Sequence, residues 1–387
     1  MEEVISESQI PIHKEKRNPY ILIGIVIGIC LFGIGLIALT KSISKNFEQP
    51  KVVVIPTPTP DPMAPKNMLL LGYGGVGHDG GLLTDTMIVG HIIPKEKKVI
   101  LISIPRDLWV PIETVAGTES GHKINAVFAV GSDHKAYPKV PKKYQGEDGG
   151  LLMTKDAVAK IIGTPVDWVA AVDFSGFSTL IKTLGGIFVD VPFSFEDTLY
   201  PVKGKEKETC GKTEEDINAL TATLSATLLE KEFPCRYETL KFEKGKQFMD
   251  GETALKFVRS RHSDVNGGDF GRSLRQQAFL LGIKNRLLSF SSATKIIPLM
   301  KTALSMVETD LTLADLSGMF ERYGMMTSYT TDVIQLTDQT VLMPSVSADG
   351  QYILVPKTGE NDFGSIKTYI SSELARISES TKSAVVQ

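Results

Sequence analysis

The chain has 387 residues, 42% of them hydrophobic and 22% charged, and 42 basic side chains stand against 45 acidic ones for a net charge of −3. Those proportions exclude wholesale disorder, collagen-like repeats and a coiled-coil rod. The near-neutral balance argues against a nucleic-acid binder, which needs a basic surface.

In chain order, the first element is hydropathic. Tyr20 to Thr40 runs 21 residues without a charge. At about 1.5 Å of rise per residue, a helix of that length spans a hydrocarbon core. The run is longer than the apolar core of a signal peptide and has no clear cleavage site, so it reads as an uncleaved anchor. Basic residues precede it at Lys14, Lys16 and Arg17, which favours a cytoplasmic N-terminus for residues 1–19. Residues 41–66 form a spacer whose alternating prolines (IPTPTPDPMAP) favour an extended chain.

From Asn67 the pattern is that of a mixed α/β domain reaching to about residue 375. Met68–Leu71 is a short apolar strand. Met87–Ile93 and Val99–Ile104 flank a turn at Pro94–Lys98 and predict a hairpin. Leu151–Ile162 has helical spacing and stops at Gly163. Val166–Val172 predicts a strand, Phe174–Leu184 a helix closed by Gly185-Gly186, and Ile187–Val191 another strand. This alternation predicts helices packed on a central sheet.

Residues 195–239 are rich in lysine and glutamate and read as an insertion, with a helix over Glu214–Leu229. Cys210 and Cys235 flank it and are either a disulfide or two free thiols. Asp250 is the expected N-cap of the next helix. A longer helix is predicted over Gly271–Leu288 and further helices over 293–307 and 313–323. Strands follow around Tyr329–Gln335 and Tyr352–Val355. The Ser- and Thr-rich residues 376–387 read as a loose end.

Catalytic signatures such as GxSxG, HExxH and CxxC are absent from the sequence. Arginine carries the chemistry instead. Only ten of the 42 basic residues are arginines, and Arg259, Arg261, Arg272 and Arg275 fall within one short stretch. A planar fork matches phosphate oxygens two at a time, so this concentration predicts a phosphate site; the plainer reading is a surface face paired with Asp264 and Asp269. Arg272, Arg275 and Gln276 sit three or four apart on one helix. Upstream, Asp85 stands at the mouth of a strand, and Arg106 and Asp107 follow the end of the next. Lys123 is either a point charge for the same site or simply exposed. Asp79, in the glycine-dense loop Gly72–Gly81, is either a metal ligand or a turn residue. His78 and His262 read as solvated loop residues.

The blocks NMLLLG, LTDTMIV, SIPRD, KINAVFAVG, GGLLMTKDAVAKIIG, VDFSGFSTLIKTLGGIFVDVP and DGETALKFVRSRHSDVNGGDFGRSLRQQ, in this order over Asn67–Leu288, resemble the LytR–CpsA–Psr family. The resemblance implies a mixed α/β sandwich around a central sheet with an apolar channel for a polyprenyl tail. It also implies a membrane-anchored enzyme on the outer face of the cell membrane. Such enzymes move a phosphoglycosyl polymer from polyprenyl pyrophosphate to peptidoglycan with Mg²⁺.

Carried onto this sequence, Asp85 matches the family's magnesium-binding aspartate, Arg106 a pyrophosphate contact and Lys123 the lysine of the KIN block. Arg259, Arg261, Arg272, Arg275 and Gln276 match its arginine groups. Arg259, Arg261 and Arg106 are then the pyrophosphate clamps, and Asp107 or Asp269 is the candidate proton acceptor. Two positions depart from the pattern. Tyr73-Gly74 stands where many members have an aspartate, which leaves Asp79 as a substitute ligand, and Leu83 stands where they have an arginine. The rival functions are a binder of polyprenyl phosphate without turnover and a hydrolase that transfers to water.

Overall fold

The computed structural model describes residues 61–78, 80–289, 307–312, 315 and 329–385. The expected anchor, nearly all of the spacer, Asp79 and the helices expected over 293–307 and 313–323 lie outside these residues, except that Val307 opens a short strand. Among the described residues no helix is long and apolar enough to cross a membrane.

The centre is a six-stranded mixed sheet. It begins with β1 (Lys66–Tyr73), β2 (Thr84–Ile93) and β3 (Lys98–Ser103), joined as an antiparallel meander. The expected β2–β3 hairpin forms, and its turn closes on Lys97 at φ 49°. A small outer hairpin follows, β4 (Trp109–Val115) and β5 (Thr118–Lys123), then α1 (Val127–Ser132) and α2 (Gly149–Ile162). The helices α1 and α2 approach closely because Gly131 and Gly149 lack side chains: a Cβ on Gly149 would lie 2.4 Å from the Gly131 carbonyl oxygen. Next, β6 (Trp168–Asp173) pairs parallel to β1, and α3 (Phe174–Thr183) leads to β7 (Ile187–Val191).

The insertion is more ordered than its composition suggests. β8 (Phe195–Pro201) pairs antiparallel with β9 (Tyr237–Phe242), and α4 (Glu214–Thr223) and α5 (Ala226–Lys231) lie between them in sequence. The single helix expected over Glu214–Leu229 is in fact two, broken where Leu224 turns extended. Cys210 and Cys235 are joined by a disulfide with Cα atoms 5.6 Å apart. β10 (Gly245–Met249) pairs with β7 and precedes α6 (Gly251–Arg259) and α7 (Gly268–Leu288).

β11 (Val307–Thr309) and β12 (Thr330–Gln335) complete the main sheet, in the order β11-β6-β1-β2-β3-β12. The hairpin β13 (Leu342–Val346) and β14 (Tyr352–Pro356) and the helix α8 (Gly364–Val385) end the fold. The expected loose end at 376–387 is corrected by α8. Ile366, Ile370 and Ile377 form one apolar stripe in the core, and the buried Lys98 Nζ donates to the Ile377 carbonyl at 2.6 Å.

Side chains alternate across a strand, so each central strand serves two layers. Leu69 and Leu71 of β1, Met87 and Val89 of β2, and Val169 and Ala171 of β6 join one core with residues of α1, α2 and α8. Their neighbours of opposite parity face α3 and α7, and there the packing is incomplete.

Candidate active site

The gap is a cavity of about 490 Å³. Leu70 and Gly72 of β1, Thr86 and Ile88 of β2, and Ala170 and Val172 of β6 line one side of it. Phe177, Leu180 and, just past the helix, Leu184 contribute from α3, and Phe279, Leu280 and Ile283 from α7. Phe177 and Phe279 stack with ring centroids 4.7 Å apart. The insertion supplies a further wall through Leu199, Tyr200 and Pro201. Most of this lining is hydrocarbon.

One end differs. Arg259, Arg261, His262, Arg272, Gln276, Thr86 and Asp85 gather there. Arg259 is the last residue of α6, a helix that begins where the Asp250 carboxylate accepts from the Thr253 N–H at 2.8 Å. Its guanidinium lies 4.1 Å over the Phe174 ring and donates to the Tyr200 hydroxyl at 3.3 Å. Burial, with Arg259 close by, holds the His78 imidazole below its ordinary pKa.

The loop after α6 is fixed by Asp197 of the insertion, which is 1% exposed. Its Oδ2 accepts from the Ser260 hydroxyl at 2.7 Å and from the Arg261 and His262 N–H groups at 3.1 Å, while Oδ1 accepts from the Leu199 N–H at 3.0 Å. The backbone of Arg261 is thus held by a carboxylate 64 residues away in sequence. Nothing in the sequence singled out Asp197 or the cavity-lining Glu230; His262 is the exposed loop residue expected, and it also lines the cavity. Its Nδ1 lies 3.8 Å from a Glu230 oxygen.

Arg272 and Gln276, one helical turn apart on α7, are 6% and 9% exposed and both reach the cavity. Gln276 Nε2 donates to the Thr86 hydroxyl at 2.7 Å. Arg275 does not join them, which corrects its expected phosphate contact. It is fully buried, and its guanidinium donates to the Ser260 carbonyl and, at 3.3 Å, to the Ser263 hydroxyl. Burial pulls its pKa down to about 10, with Arg272 acting in the same direction and Asp197 against it. Arg275 braces the loop that presents Arg261.

Asp85 sits at the cavity's polar end with its side chain 42% exposed, and Arg106 Nη1 donates to it at 2.6 Å. Arg106 also lies 3.5 Å from Asp107, whose other oxygen accepts from Lys123 Nζ at 2.7 Å. Arg106, Asp107 and Lys123 line neither this cavity nor the one beside it. The three form an ion-pair chain beside Asp85, so Arg106 meets the polar end through that carboxylate. Among the described residues no three acidic, histidine or cysteine side chains cluster as a metal cage. Asp85 alone fits a hard cation that takes its remaining ligands from phosphate and water. Asp79 and the Asp269 side chain lie outside the described structure.

Comparison with known proteins agrees with this architecture. The chain is 30% identical over 278 residues to the polyisoprenyl-teichoic acid–peptidoglycan teichoic acid transferase TagV of Bacillus subtilis, a match covering 70% of this chain and 56% of that one. It is 29% identical over 252 residues to TagU of Bacillus licheniformis, covering 65% and 62%. In both, the chain spans less than two thirds of the relative's length. The crystal structure of B. subtilis TagV superposes with a TM-score of 0.52 at 25% identity, over 81% of this chain and 98% of that one. The profile of the LytR_cpsA_psr family matches residues 38–363, and the chain belongs to that family.

Proposed function

We propose that the chain is a membrane-anchored phosphotransferase of cell-wall assembly. It moves a phosphoglycosyl polymer from a polyprenyl-pyrophosphate carrier to a peptidoglycan hydroxyl, with residues 20–40 as the anchor and the catalytic domain outside the membrane. The carrying observation is a hydrocarbon-lined cavity that ends on three arginines, Arg259, Arg261 and Arg272. That combination matches an amphiphile with a long apolar tail and an anionic head. The names of TagV and TagU point to a teichoic acid type of polymer as the cargo.

The tail gains about 25 cal/mol per Å² of apolar surface buried between the sheet and helices α3 and α7. The pyrophosphate then lies at the arginine end. Transfer forms a bond from the acceptor oxygen to the glycan-bearing phosphorus and breaks the bond to polyprenyl phosphate. Charge on the departing phosphate is the main obstacle, and fixed guanidinium groups in a site partly closed to water oppose it strongly. Arg259 is oriented by Phe174 and Tyr200, and Arg261 by Asp197, so little reorganisation is needed. Gln276 and Thr86 set the floor beneath the phosphates. Asp85 would hold a Mg²⁺ ion, which would supply positive charge to offset that of the pyrophosphate.

The test is product analysis with the full-length chain, a polyprenyl-pyrophosphoryl glycan and peptidoglycan oligomers, with and without Mg²⁺. Linked glycan–peptidoglycan is expected. Free phosphorylated glycan alone would mark a hydrolase, and lipid bound but unchanged would mark a binder. Asp85→Ala should lose the response to Mg²⁺; an unchanged response removes Asp85 as the metal ligand.

A further inference from the structure

A second cavity, of about 280 Å³, opens beside the first. Asp85, Thr86, Arg272 and Gln276 line both, so the two meet at the phosphate end. Their remaining walls differ in kind. The first is mostly hydrocarbon, whereas the second mixes the apolar Met87, Ile104, Leu336 and Leu354 with Ser103, Ser273, Gln335, Thr337, Asp338 and Tyr352.

These groups are already organised. The Ser273 hydroxyl donates to Ser103 Oγ at 2.8 Å, and the amides of Gln277 and Gln335 reach Ser273 Oγ at 3.3 and 3.4 Å. Such a network holds donors and acceptors in place for a hydroxyl-rich ligand at little ordering cost. Tyr352, 54% exposed, offers a ring with an apolar face and a polar tip, a surface suited to a sugar ring. Asp338 is exposed, and its carboxylate oxygens are acceptors for sugar hydroxyls.

The reaction supplies the direction. In phosphoryl transfer the attacking and leaving oxygens lie roughly in line through phosphorus. With the polyprenyl phosphate leaving along the apolar cavity, the attacking hydroxyl must arrive from across the phosphate end. The second cavity, with its mixed polar and apolar lining, opens there.

We propose that this groove is the acceptor subsite: it seats the peptidoglycan saccharide whose hydroxyl attacks. The proposal rests on the transferase reading above. The hydroxyl oxygen bonds to the glycan-bearing phosphorus, the bond from that phosphorus to the polyprenyl phosphate oxygen breaks, and polyprenyl monophosphate departs along the apolar cavity. The hydroxyl proton passes to water at the groove mouth. The donor's own first sugars share this chemistry, and the experiment separates the two sources.

The full-length chain in detergent is assayed with a polyprenyl-pyrophosphoryl saccharide and a tetrasaccharide of alternating N-acetylglucosamine and N-acetylmuramic acid. Tyr352→Ala and Asp338→Ala change exposed side chains, and Tyr352→Phe keeps the ring. Tyr352→Ala should raise the acceptor KM about tenfold or more, Asp338→Ala should raise it less, and Tyr352→Phe should restore most of it. The donor KM should not move.

An unchanged acceptor KM in both alanine variants overturns the proposal. A raised donor KM also overturns it and assigns the groove to the donor saccharide. If the wild type makes no linked product, the transferase reading fails. The groove is then judged by titrating the tetrasaccharide alone: binding lost in Tyr352→Ala supports it, and binding indifferent to the variants rejects it.

Discussion

The two faces of the central sheet are made by the same strands and end as different materials. On one face Leu69, Leu71, Met87, Val89, Val169 and Ala171 disappear under helices α1, α2 and α8. On the other, Leu70, Gly72, Thr86, Ile88, Ala170 and Val172 line a cavity. Moving one position along a strand exchanges a residue sealed in the core for one that lines the cavity. Hydrophobicity alone does not tell the two apart; parity and the covering helices do.

The largest effect that bears on this contrast is expected at the polar end of the open face. Arg261→Ala, and likewise Arg259→Ala, should lower transfer by about 10²-fold or more, the usual cost of deleting one fixed donor to developing charge. The melting temperature should hardly move. Full activity in either variant would break the clamp assignment.

On the sealed face, Leu69→Ala should cost about 2–5 kcal/mol by leaving a hole in a close-packed core. Denaturant titration should show that loss, while donor affinity of the folded fraction stays unchanged. One position along, Leu70→Phe should do the reverse. It narrows the cavity, weakening polyprenyl pyrophosphate about tenfold, or ~1.4 kcal/mol, with little change in stability. Equal effects of the two substitutions on stability and on binding would erase the distinction between the faces.

The smallest expected effect lies in the helix that aims Arg259. The Thr253 N–H holds the Asp250 carboxyl below its ordinary value of 3.8. A depressed folded pKa gives stability that is present above that value and lost as pH falls through the lower one. Asp250→Ala should therefore cost about 1 kcal/mol at neutral pH and progressively less under acid conditions. A pH-independent loss would assign the cap another origin.

Much of this frame was legible in the residues. Glycines at 163 and 185–186 and the aspartate at 250 punctuate α2, α3 and α6 where the periodic patterns stop or start. The β4–β5 hairpin was not, because Pro111 and the polar run Thr118–His122 hide its alternation. The insertion's wall was also missed, since a charged composition says nothing about which few apolar residues turn inward.

Within the site, spacing placed Arg272, Arg275 and Gln276 near one another but could not aim them. At about 100° per residue, Gln276 lies roughly 40° to one side of Arg272 and Arg275 roughly 60° to the other. That splay sends Arg275 into the loop and Gln276 to Thr86. Asp197 had no local signal for this role, because the loop groups it holds, Ser260 and the Arg261 and His262 N–H groups, lie more than 60 residues away. Long-range hydrogen bonds of this kind become visible only once the chain is folded.

The most direct measurement is a structure of the chain with a long-chain polyprenyl pyrophosphate and Mg²⁺ bound. The tail should lie between Leu70 and Ile88 on the sheet and Phe279 on α7, with the pyrophosphate oxygens within hydrogen-bonding distance of Arg259 and Arg261. A tail outside this cavity, or phosphates bound away from both arginines, would contradict the account.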